Sequence, residues 1–418
     1  MSARLRVLVY GGIGAAACDF YRRAQFVSAL AAVEVDLVPW TPPLLHPSSY
    51  AGRWFDALRD GVARVDLTAL EQAQVVLFSR WSNTHVACTV CSTACESPPA
   101  LDEHARVTGH HTLGLDPLLR LVATSLLFDK KRRAGCAVMY DLDDDLFRQP
   151  EWVGHGPGLA RELDLVELFL RAADLITVST PALQQAVRPF SPRTHVVRNA
   201  VEPALYQPSS TRHGTRHGTR PGTGKTVRSA GYPRILFYGA DVRQRDYLLC
   251  AGAVDAAVRC APGARRIWLG SDSREVRALV DEAYPSVDAG PLFTAKLADL
   301  GPHIGLAPLQ DSEFARSKSE LHWLEYSMVG AVTVASRLDG AGPYDVVKDG
   351  QDGFLAGDPG EWRTVLTRLI GAPALHAEVA ERARERVLAE YQAGPRALEW
   401  AAAYRWAANH PGTGGGLT

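Results

Sequence analysis

The sequence predicts an α/β chain of two Rossmann-like domains facing each other across a cleft, with a small zinc-finger-like insertion in the first. Three observations carry this. Short Val/Ile/Leu-rich runs of strand length alternate with helix-length segments over most of the chain, the pattern of parallel sheets covered on both faces. The alternation stops once, after Pro208, and then restarts. One segment inside the first series, CTVCSTACESPPALDEHARVTGHH (88–111), has the spacing of a metal site.

The first series opens with RVLVY (6–10), runs through GGIG (11–14) and enters the helical stretch DFYRRAQFVSALA (19–31). VEVDLVPW, AQVVLF, CAVMYDL, LITVST and THVVRNA follow as strands, with LARELDLVELFLRAA as a helix between two of them. Residues 1–207 are read as this first domain. Residues 208–230 contain TRHG twice and then TRPG, carry no core residues, and read as a flexible linker. The linker includes GTGKT, but Thr219 stands where a phosphate-binding loop needs its first glycine and no strand precedes it. The second series, 231–393, begins at RILFYGA and continues with RRIWLG, VDAGPLF, HIGLAPL and AVTVAS as predicted strands. The last helix, 394–410, is amphipathic and is expected to cross back to the first domain. Ligands of such sheets bind outside the carboxyl ends of the strands, which here places the site in the cleft.

Composition narrows the function. The 418 residues carry a formal net charge of -1, with 46% apolar and 22% charged residues. That balance suits a globular protein and argues against one whose main task is to grip nucleic acid. No apolar run is long enough to span a bilayer, and the start MSARLRVLVYGG has no leader pattern. The seven cysteines comprise a cluster (Cys88, Cys91, Cys95) and four scattered ones (Cys18, Cys136, Cys250, Cys260), not a disulfide framework. A reducing, cytoplasmic setting is expected.

Cys88 and Cys91 are two residues apart, His104 follows after twelve and His110 after a further five. This is the spacing of a tetrahedral Cys2His2 zinc site. His111 is the alternative last ligand. The helix positions that would face bases are Ser97, Ala100 and Glu103, and Arg106 is the one Arg or Lys from 88 to 111. Neither base readout nor phosphate contact is served by these residues. Four protein ligands leave no open position for a catalytic water, so the zinc is expected to be structural.

The stretch HIGLAPLQDSEFARSKSELHWLEYSMVGAVTVASRLDGAGPYDVVKDGQDGFLAGDP (303–359) carries the chemistry. Lys318-Ser319 is expected at a helix N-terminus, where an ammonium, a hydroxyl and free backbone N–H groups meet phosphate oxygens. Together with the two-domain pattern, these residues resemble the GT-B-fold glycosyltransferases related to glycosyltransferase family 4. The resemblance spans most of the chain apart from the finger and the linker. It implies that Glu325 is the ribose-binding carboxylate and that the loop containing Gly342 closes over the donor. Ser317 stands where the family often has another Glu, so no sugar-ring contact is assigned there.

The loop after Tyr238, GADVRQRDYLL, is expected to bring Gly239 and a second cation to the diphosphate, Arg243 first and Arg245 second, with Asp246 capping the next helix. In the first domain Gly12, in GGIG, permits close backbone approach. Tyr21, Arg22 and His155 are assigned to the acceptor side. YDLDDDLF (140–147) ends a strand, so Asp143 is placed on the acceptor side and Asp144 joins Lys318 and Arg243 as a candidate catalytic group. The resemblance implies transfer of a sugar from a UDP- or GDP-linked donor to a small soluble natural-product or cell-envelope acceptor, with retention and without a catalytic metal. The rival readings are a sugar-nucleotide epimerase of the same fold and a degenerate, finger-centred interaction protein. Oligomeric state is not legible.

Overall fold

Val7 and Val9 turn to one side of the first strand and Leu8 and Tyr10 to the other, and all four are buried. This two-residue period, apolar on both faces, repeats through the inner strands of both sheets of the computed structural model, which describes residues 4–10, 17–40, 44–45, 64–65, 67–79, 135–150, 159–208, 233–239, 243–287 and 290–413. The first sheet contains β1 (Leu5–Tyr10), β2 (Val35–Trp40), β5 (Val75–Ser79), β6 (Ala137–Leu142), β7 (Leu175–Val178) and β8 (Thr194–Val196). All its pairings are parallel, in the order β2-β1-β5-β6-β7-β8. A two-residue antiparallel pair, β3 (Leu44–Leu45) with β4 (Arg64–Val65), lies outside it.

The second sheet contains β9 (Arg234–Gly239), β10 (Arg265–Gly270), β11 (Glu282–Pro285), β12 (Ile304–Ala307), β13 (Val332–Ser336) and β14 (Phe354–Ala356). Its order is β11-β10-β9-β12-β13-β14, again all parallel. The order reverses between β9 and β12, and a doubly wound sheet opens its ligand crevice at that switch point.

Two expectations about elements are corrected. VDAGPLF is not a strand: Gly290 has φ 118° and Pro291 opens the helix Pro291–Leu300. Proline has no N–H to give a sheet and a φ suited to the first helical position. The strand is β11, an edge strand of alternating exposure without an apolar run. The stretch 19–31 is not one helix either. It divides into Ala17–Arg22, a single 3-10 turn at Ala24–Phe26, and Val27–Ala32, with Arg23 off helical geometry at the break.

The helix Ala393–Asn409 lies on the first sheet, where Ala397, Trp400, Ala401 and Tyr404 pack with Val7, Val9, Leu77 and Met139. The chain reaches it by a backbone stitch: Val201 N–H donates to Tyr391 O and Ala393 N–H to Val201 O, each 2.9 Å. Val201 and Tyr206 themselves belong to the core of the second domain. The two domains are thus joined at this stitch as well as through 208–230. The proposed finger (86–112) and residues 209–230 of the linker lie outside the described residues.

Candidate active site

Glu325 is the centre of the site. It sits on the helix Leu321–Met328 and is 1% exposed. One carboxylate oxygen accepts a hydrogen bond from the Tyr21 hydroxyl and the other from the Tyr238 hydroxyl. Tyr21 comes from the first domain and Tyr238 from the end of β9, so the two sheets meet on one carboxyl group. Burial pushes this carboxyl from the ordinary 4.5 up to about 7, against the two hydroxyls that favour its charged form. Burial and the adjacent Glu325 raise both phenols well above the ordinary tyrosine value.

Arg243 precedes the helix Gln244–Arg259 and is 8% exposed. Its Nη1 pairs with Asp246 Oδ2 at 3.0 Å, and its Nη2 lies 3.4 Å from His322 Nδ1. Gly239 makes room for it: a Cβ there would lie 2.6 Å from the Arg243 Cβ and Cγ. The expectation that Asp246 caps the helix is corrected. Arg243 is the cap position and Asp246 lies inside the first turn, where its Oδ1 accepts the Gln310 N–H at 2.9 Å. That bond ties the helix after β9 to the loop after β12 across the switch point. Tyr344, from the turn Pro343–Val346 that follows Gly342, is buried beside Arg243.

His322 lies one turn before Glu325, with its ring 4.2 Å from that of Tyr238. Burial, then the charges of Arg243 and Lys318, hold its imidazole well below the ordinary histidine value. Lys318 and Arg243 are the two cations whose charge reaches this ring.

Lys318 and Ser319 are not in the first turn of a helix. Lys318 ends the short helix Glu313–Ser317 in extended geometry, and Glu320 is the cap of Leu321–Met328. The first domain grips this link residue by residue. Thr180 Oγ1 donates to Ser317 O at 2.8 Å, Lys318 Nζ meets Asp144 Oδ1 at 3.2 Å, and Asn199 Nδ2 donates to Ser319 Oγ at 2.8 Å. Arg198 pairs with Glu320 at 3.1 Å. Burial raises the Glu320 carboxyl, and Arg198 opposes the shift. Lys318 also lies 4.1 Å over the Phe314 ring.

Arg22 is turned into the first core rather than the cleft, at 1% exposure. It binds Asp141 through Nε at 3.1 Å and Nη2 at 2.8 Å, donates to Val197 O, and lies 4.7 Å over the Trp400 ring. Its work is to join the first sheet to the terminal helix. Tyr21, assigned to the acceptor side, is placed instead on Glu325. Asp143 follows β6, and its carbonyl accepts from Ser179 Oγ at 3.0 Å. Arg245 is exposed on the outer side of its helix. Gly12, His155 and the four proposed zinc ligands Cys88, Cys91, His104 and His110 lie outside the described residues; among the described residues there is no metal-binding cluster. Nor is any described helix long and apolar enough to cross a membrane.

The sequence reading missed Tyr238, His322, Glu320, Thr180, Arg198 and Asn199. Thr180 had a signal, a threonine directly before a helix-opening proline, and its hydroxyl does cap at Leu183 N–H. Arg198-Asn199 had a weaker one, polar residues closing an apolar run.

No family model and no curated protein sequence matches the chain. Solved structures do match. Sucrose-phosphate synthase from Thermosynechococcus elongatus has a TM-score of 0.58 at 14% identity, over 96% of this chain and 99% of its own. HepE of Anabaena in complex with UDP-glucose has a TM-score of 0.57 at 12% identity, over 96% of this chain and 100% of its own. The catalytic domain of starch synthase IV from Arabidopsis thaliana, bound to ADP and acarbose, has a TM-score of 0.58 at 11% identity, over 98% and 100%. Identity this low speaks for architecture alone, and there it agrees with the sheets: the chain has the two-domain GT-B fold.

Proposed function

We propose that the chain is a glycosyltransferase that moves a sugar from a UDP- or GDP-linked donor to a small acceptor, with retention. One observation carries this reading. Lys318, Arg243 and Glu325 converge at the carboxyl ends of the second sheet's strands, beside the switch point, opposite the first domain. Two cations answer a diphosphate. A carboxylate whose two oxygens each receive a hydroxyl is matched to the paired hydroxyls of a ribose, and Tyr21 and Tyr238 hold those two places here. In the reaction the bond between the sugar and the diphosphate breaks, the acceptor heteroatom bonds to the sugar and gives up its proton, and negative charge gathers on the leaving phosphate. Lys318 and Arg243 stabilise that charge and the cleft excludes water. Neighbours solved with UDP-glucose or ADP support a nucleotide-bearing donor.

Thermal unfolding against UDP, GDP, ADP, CDP and dTDP tests this. One nucleotide at 100 times its Kd should add about 2.7 kcal/mol of stability, and Lys318→Ala and Glu325→Ala should abolish the shift. No shift with any of them would sink the reading.

Cys88, Cys91, His104 and His110 fit a structural zinc clip in the first domain, on their spacing and donor types. Metal analysis of the purified protein should find about one zinc per chain, and Cys88→Ala with His104→Ala should lose it. Absence of zinc from protein expressed with ample metal would remove the clip.

A further inference from the structure

His322 belongs to no role assigned above, yet it touches both halves of the donor site. Its Nδ1 faces Arg243 at 3.4 Å, on the phosphate side. Its ring packs on Tyr238, whose hydroxyl is bound to Glu325, on the ribose side. An arginine only donates, so Nδ1 accepts and the neutral ring carries its proton on Nε2.

We propose that His322 takes up a proton when a nucleoside diphosphate settles between Lys318 and Arg243, and returns it when the nucleotide leaves. The inference rests on the donor-site reading above. The charged groups around the ring make the case. Arg243 and Lys318 face it from the loop after β9 and from the link before its own helix, and both disfavour a second positive charge. Asp246 and Tyr344 stand behind Arg243, and Asp144 behind Lys318. Glu325 and Tyr326 lie further along its helix, with the Glu325 carboxyl held by two tyrosines. A diphosphate brings two to three negative charges to this spot and reverses the balance. Protonated Nδ1 no longer accepts from Arg243, which frees that guanidinium N–H for a phosphate oxygen, and the imidazolium adds a donor of its own. The proton comes from solvent.

Calorimetric titration of the full-length protein with the same five nucleoside diphosphates, in two buffers of different ionisation heat at pH 7.5, reads the proton directly. The expected result is uptake of about one proton per bound nucleotide, with affinity falling about tenfold per pH unit above neutrality. His322→Asn should lose the uptake and bind about tenfold more weakly. His322→Arg carries a permanent charge, so it should keep affinity within about threefold and also lose the uptake. Thermal unfolding of both variants checks that they fold. Uptake unchanged in both variants, or abolished by Glu325→Gln and not by them, overturns the role of His322 while the donor-site reading stands. Failure of the wild type to bind any of the nucleotides overturns both.

Discussion

Replacing Lys318 with alanine is expected to slow glycosyl transfer by about a hundred- to a thousand-fold, the range for losing one preorganised group at a developing negative charge. The loss should appear both in nucleotide binding and in the rate of the chemical step, because the ammonium meets the bound diphosphate and meets it more strongly as the phosphate leaves. Unfolding does not account for it. Lys318 and Asp144 are partly exposed, at 20% and 17%, and such a pair adds no more than about 1 kcal/mol. Asp144→Asn separates the two roles of the lysine. Here Asp144 holds Lys318 where a phosphate would, so its neutral replacement should tighten nucleotide binding several-fold while leaving the ammonium in place. Initial rates with the donor found by thermal shift measure both variants. A Lys318→Ala enzyme within about threefold of wild type would show that the lysine serves only to dock the domains.

Glu325→Gln is expected to change how stability depends on pH. The folded carboxyl titrates near 7 and an ordinary glutamate near 4.5. Between those values the folded protein keeps a proton that the unfolded chain has released. The contribution of this group is therefore full below about pH 4.5 and is lost as pH rises through 7, by on the order of 3 kcal/mol in all. Glutamine cannot ionise, yet it accepts a hydroxyl and fills the same space. The difference in melting temperature, wild type minus variant, should fall steadily from pH 5 to pH 8 and then level off. Parallel profiles would mean that Tyr21 and Tyr238 fully offset the burial of the charge. The same variant should bind nucleotide about tenfold more weakly, since an amide accepts ribose hydroxyls with less strength than a carboxylate.

What the sequence determined by itself is the architecture and the chemical types of the site. A parallel strand covered on both faces is apolar at nearly every position, so RVLVY, CAVMYDL, RILFYGA and AVTVAS announce themselves locally. Edge strands need no such run, and β11 was missed for that reason. Lys318 and Arg243 stood out as cations expected beside a helix start and in the loop after a strand, and Glu325 through the resemblance to a known family pattern. The tertiary structure decided what each of them touches. Tyr21 and Glu325 are 304 residues apart in the chain, and Lys318 and Asp144 are 174 apart. No local pattern encodes such pairs, because they depend on how two sheets and the stitch at Val201 bring loop ends together. Arg22 shows the same limit. Beside Tyr21 in sequence it looked like a second cleft residue, but one step along a helix turns a side chain by about 100°. That step carries Arg22 into the core, onto Asp141 and Trp400. The raised carboxyl of Glu325 follows from the same cause: burial belongs to the packed chain, and a sequence states only which groups are there to be buried.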